Sequence, residues 1–105
     1  MQNNRIARIK KQIQAIKQQL MRIDEMRPGS LTQQYHIPKD KKYLFWQVSY
    51  THNMKSRSGY VRKEFVEDVK KQIKNYKLFK RLTKKWVDLS LEYSKLKIDV
   101  KSKML

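Results

Sequence analysis

The sequence predicts an α+β protein, mainly α: two long antiparallel helices forming a coiled-coil hairpin, with a small β-hairpin inserted between them. Three observations lead there. Apolar residues recur at intervals of three and four over residues 3–26 and again over 64–103, the spacing of one helix face. Between these stretches, residues 28–63 hold both glycines, both prolines and both histidines, a composition that interrupts helix. Within that middle part, residues 43–51 are dense in aromatic and β-branched side chains, which favour strand. At 105 residues a single domain is expected.

The first helix is read from Ile6, Ile9, Ile13, Ile16, Leu20 and Ile23, an unbroken a/d seam. Asn3 or Asn4 supplies a cap at its start. Arg27-Pro28-Gly29 ends it: proline disfavours helix in the residue before it, and glycine is free to reverse the chain. About 24 residues give a rod of roughly 36 Å. Such a narrow seam needs a partner helix.

Residues 31–42 read as irregular chain, with Pro38 arguing against regular structure. The strand at 43–51 would place Leu44, Trp46, Val48 and Tyr50 on one face and Tyr43, Phe45, Gln47 and Ser49 on the other. A polar loop of six residues, His52 through Arg57, leads to a second short strand at 58–63, closing a β-hairpin. Lys41 and Lys42 precede the aromatic strand as charged guards against edge pairing.

The long helix carries Val66, Val69, Ile73, Tyr76, Phe79, Leu82, Trp86, Leu89, Tyr93, Leu96 and Val100 at helical spacing. Glu64, Glu67 and Asp68 at its start and Lys101 and Lys103 near its end suit the helix dipole. Val66, Val69 and Ile73 are placed to cover Trp46, Val48 and Tyr50.

Charge sets the function classes. The chain has 26 Lys and Arg against 9 Asp and Glu, a formal net charge of +17. It is spread along the chain: +5 over residues 1–27, +6 over 28–63 and +6 over 64–105. A polyanion is the partner this implies. Residues 70–85 contain eight cations and no acid. Of these, Lys70, Lys74, Lys77, Arg81 and Lys84 follow helical spacing and form one stripe of roughly 21 Å. Like charges so aligned repel, and a phosphate backbone relieves that repulsion with counterion release. A second basic group surrounds the hairpin: Lys55 and Arg57 in its loop, Arg62 and Lys63 at its exit. Tyr43, Phe45 and Tyr60 are candidates for stacking on bases. The competing reading is a solvated lysine face, with the aromatics simply core.

Other chemistry is missing. There is no cysteine, so no disulfide or thiolate zinc site is expected. His36 and His52 lack carboxylates at metal-binding spacing. Two glycines in all leave no phosphate-cradling loop. No nucleophile motif occurs, so the expectation is no enzyme, no metal and no cofactor. The longest apolar run, Tyr43-Leu44-Phe45-Trp46, is too short for a membrane span. A cytoplasmic location is expected, on the nucleoid if the partner is DNA.

Four pieces of the chain resemble a family of small uncharacterised prokaryotic proteins. They are Arg27-Pro28-Gly29-Ser30-Leu31, the strand closing on Val48-Ser49-Tyr50-Thr51, the exit Tyr60-Val61-Arg62-Lys63-Glu64, and Asn75-Tyr76 followed by Leu82. The resemblance spans about residues 5–95, and the Arg-Pro-Gly-Ser-Leu turn is its most specific part. It implies an association with transposases and other mobile elements, hence work on DNA. Many such proteins look to carry a Cys cluster between the turn and the strand. Here that stretch, residues 36–42, has none.

The leading expectation is therefore a nucleic-acid-binding accessory protein, with DNA ahead of RNA. The second is a coiled-coil adaptor that assembles with itself, as a dimer, or with a protein partner. An RNA- or ribosome-associated role is a third reading.

Overall fold

The computed structural model describes residues 2–35 and 44–104. The element order is α1 (Gln2–Met21), β1 (Ser30–Tyr35), β2 (Leu44–His52), β3 (Lys55–Val61), a short 3-10 turn (Lys63–Phe65) and α2 (Val66–Met104). The strands form one antiparallel sheet in the order β1-β2-β3. This corrects the expected fold class. The chain is an N-terminal helix, a three-stranded antiparallel sheet and a long C-terminal helix, rather than two long helices closed into a coiled-coil hairpin around a two-stranded insertion.

Two physical reasons account for the difference. On the inner face residues 30–35 carry Leu31, Gln33 and Tyr35, of which Leu31 alone enters the core, so the period-2 signal is faint. Their strand is fixed by pairing, with Leu31 opposite Val48 and Tyr35 opposite Leu44. The second reason is the hairpin loop. It has two residues, Asn53 and Met54, rather than six, and His52 pairs directly with Lys55. Both loop residues have positive φ, 51° and 64°. This is the signature of the tight turn whose twist matches a two-stranded ribbon.

By its contacts the chain divides into two compact units, residues 24–77 and residues 1–23 with 78–105. In the first, the core is Val48 of β2 against Val69 and Ile73 of α2, with Leu31 and Val61 packed around them. The expected cover of the strand by Val69 and Ile73 is thus found. Opposed strand residues share a face, so Leu31, Trp46, Val48, Tyr50, Arg57 and Val61 all lie on the helix side of the sheet.

The connection from α1 into β1 is tied to α2 by three hydrogen bonds. Gln72 Nε2 donates to Glu25 Oε2 (3.0 Å) and Asn75 Nδ2 donates to the Glu25 carbonyl (2.8 Å). The Arg27 amide donates to the Gln72 carbonyl (3.1 Å). Next comes Gly29 with φ +141°, a backbone conformation that disfavours any side chain. A Cβ there would stand 3.0 Å from Val48 Cγ2 and 3.1 Å from the Ser49 carbonyl. The Arg-Pro-Gly-Ser-Leu turn is therefore a scaffold device. Arg27 and Gly29 seat the chain between helix and sheet, and Leu31 enters the core.

In the second unit, Ile9 and Ile16 of α1 and Leu82 and Leu96 of α2 are buried. Arg5 pairs with Glu92 at 2.8 Å. Lys17 lies 5.3 Å from the Trp86 ring centre, and Lys10 and Lys97 lie 5.8 and 5.9 Å from that of Tyr93. Cations over ring faces add about 0.5–1 kcal/mol each at exposed sites. α1 stops at Met21, with a tight turn in which the Arg22 and Ile23 amides donate three residues back. It is thus shorter than the seam through Ile23 suggests.

Candidate functional site

Among the described residues no group of three or more His, Cys, Asp or Glu is placed to hold a metal ion. No described helix is long and apolar enough to cross a membrane. What stands out is positive charge on the surface.

Every described cation that the sequence singles out is exposed: Lys55, Arg57, Arg62, Lys63, Lys70, Lys74, Lys77, Arg81 and Lys84. Nine acids cannot neutralise 26 cations, so at least the net excess of positive charge faces solvent or an outside anion. The stripe divides between the two units. Lys70, Lys74 and Lys77 belong to the sheet-bearing unit, whereas Arg81 and Lys84 belong to the all-helical one. Lys70 is partly engaged, 3.5 Å from Glu67 and 5.2 Å from the ring centre of Trp46.

In the sheet-bearing unit, Lys55 and Arg57 are strand residues of β3 rather than loop residues. Their partners His52 and Tyr50 place them on the helix side of the sheet. The Tyr50 ring on that side also carries the Arg27 guanidinium at 5.3 Å. Arg62 follows β3 and Lys63 begins the 3-10 turn.

The candidate stacking residues take the opposite face. Phe45 and Tyr60 meet edge to face at 5.1 Å and 73°. Phe45 is half-buried, while Tyr60 is 74% exposed. Around them this face shows Ser30, Thr32, Gln34, Gln47, Ser49, Thr51, Ser56 and Ser58, with no charge among the described strands. Thr51 and Ser56 hydroxyls lie 3.2 Å apart across it. The aromatics and the hairpin cations that the sequence places together are thus on different sides. Tyr43 lies outside the described residues, as do Lys41, Lys42 and His36.

Past β1, the ribbon continues alone. β1 ends its pairing at Ser49, so among the described residues the rungs Tyr50–Arg57, Thr51–Ser56 and His52–Lys55 belong to β2 and β3 only. This two-stranded arm adds roughly 10 Å, and every residue from 51 to 60 is exposed.

Two features escape a reading by composition. α1 contains Arg5, Arg8, Lys10, Lys11 and Lys17 and no acid. Its acid-free character was visible in the sequence but was overshadowed by the stretch at 70–85. The other is Met54, at the tip of the arm and 100% exposed. No sequence signal marks it, because a lone methionine in a polar stretch carries no periodicity.

Residues 6–71, well over half of the chain, match the family described as Domain of unknown function (DUF6788). No curated protein and no solved structure matches the chain.

Proposed function

We propose that this chain, which belongs to the DUF6788 family, binds nucleic acid, with duplex DNA as its first partner. The observation that carries the reading is the exposed, uncompensated charge: +17 in total, with all nine described candidate cations on the surface. Lysines of α2 and the cations of the hairpin contact phosphates. Their gain comes from counterion release and is independent of sequence. A protruding two-stranded ribbon fits the wide major groove of B-form DNA. The major groove of A-form RNA is too narrow to admit it, which orders DNA ahead of RNA. The resemblance to proteins associated with transposases suggests an accessory role in a mobile genetic element, acting on the nucleoid in the cytoplasm. Phe45 and Tyr60 contribute a stacking surface through the exposed Tyr60 ring.

Fluorescence anisotropy with labelled duplex DNA, single strands and structured RNA over a range of salt tests this. Two variants separate the two parts of the stripe: Lys74→Gln with Lys77→Gln, and Arg81→Gln with Lys84→Gln. Each pair flattens the dependence of log K on log salt by about two units if both cations touch phosphate. Unchanged slopes in both variants remove the stripe as the contact surface.

A second reading has its own observation. Val87, Leu91 and Ile98 of α2 are 57, 66 and 61% exposed, and they share one side of the helix. Self-association of the all-helical unit along this strip is the structural form of the adaptor reading. It is compatible with DNA binding, since paired copies would present two arms.

A further inference from the structure

Resting on the reading of the chain as a duplex-DNA binder, we propose that Met54 is an intercalating wedge. It inserts between neighbouring base pairs and kinks the duplex as the arm enters a groove. Three observations converge on this residue. It is fully exposed at the tip, at the end of an arm whose last three rungs have no third strand among the described residues. It sits at φ 64°, a left-handed conformation that glycine adopts far more readily than a residue with a side chain. The turn would therefore form more easily with glycine at this position, as in Asn-Gly turns. Its neighbours His52, Asn53, Lys55 and Arg57 are polar or cationic and exposed, fit to hold the phosphates and groove edges on either side of a wedge.

Strain kept at a protruding tip marks a position held for a purpose other than folding. Minor-groove binders insert apolar wedges, methionine among them, between base steps and unstack them; an arm tip that reaches the base stack from the major groove, where this ribbon fits, applies the same chemistry. One methionine suffices for that task. It would not suffice to anchor a membrane, where stable attachment needs much more apolar burial than one side chain supplies.

The test uses the full chain with duplexes carrying 2-aminopurine at a flexible TA step, and with end-labelled duplexes reporting bend by energy transfer. Wild-type protein is expected to raise the 2-aminopurine emission and shorten the end-to-end distance. Met54→Gly keeps the turn and removes the wedge. It should abolish both signals, leave the salt slope unchanged and weaken binding by no more than about tenfold. Met54→Leu keeps an apolar wedge and should retain both signals. Equal bending and unstacking by wild type and Met54→Gly would overturn the wedge while leaving DNA binding intact. Loss of binding to anionic vesicles in Met54→Gly, with DNA signals unaffected, would replace it with a membrane contact. Failure of the wild type to bind duplex at any salt would remove both the wedge and the reading on which it rests.

Discussion

Replacing Gly29 with alanine probes the joint between helix and sheet. The residue adopts φ +141°, a conformation that costs a non-glycine residue about 1–3 kcal/mol. The added Cβ would stand 3.0 Å from Val48 Cγ2 and 3.1 Å from the Ser49 carbonyl. Neither neighbour yields easily, since Val48 is 4% exposed in the core and the carbonyl is strand backbone. Overpacking of this kind costs about 1–3 kcal/mol. Both effects arise from one Cβ and do not simply add, so a loss of about 3 kcal/mol is expected, a large share of the stability of a small domain. At about 4–8 °C per kcal/mol for a chain near 100 residues, the melting midpoint falls by roughly 12–24 °C. The molecule holds its own control. A Cβ on Gly59 meets nothing within 4 Å, so Gly59→Ala should be neutral or slightly stabilising. Thermal melts followed by circular dichroism measure both. If the two alanine variants melt within about 2 °C of each other, the turn is not the constraint described here.

Two further outcomes follow from the packing. Val48→Ala empties the centre of the core cluster that Val48 forms with Val69 and Ile73. A loss of about 2 kcal/mol or more is expected in urea unfolding, and a change within about 0.5 kcal/mol would show that the sheet does not pack there. Leu91→Glu places charge in the exposed strip of α2. Sedimentation should then show a lighter species than the wild type, and a wild type that is already a monomer at high concentration removes the self-association reading.

The parts of the fold that announce themselves in sequence are those with many local, repeated signals. The spacing of three and four from Val66 to Val100 marks α2, and Glu67, Asp68, Lys101 and Lys103 sit at its ends as read. β2 is legible because Leu44, Phe45, Trp46, Val48 and Tyr50 crowd one short run. β1 is not, because its strand character comes from pairing with β2 across the chain rather than from its own residues. The length of the hairpin loop is hidden for a related reason. Methionine at positive φ is energetically disfavoured, so propensity argues for a longer loop than the two residues observed. Loop length also decides which face the cations take. With six loop residues, Lys55 and Arg57 float free, whereas the true pairing directs them to the helix side, away from Phe45 and Tyr60. The basic stripe of α2 was legible from spacing alone because helical geometry fixes which residues share a side.

The lysines that cap aromatic rings have one more consequence. The chain has two tryptophans, one in each compact unit. Each has a lysine ammonium near its ring, Lys70 at 5.2 Å from Trp46 and Lys17 at 5.3 Å from Trp86. Such a cation perturbs indole emission, and a polyanion that competes for it changes the signal. With Trp46→Phe or Trp86→Phe, the remaining indole reports on one unit alone. The molecule thus carries its own pair of optical probes, able to tell which unit an anion reaches first.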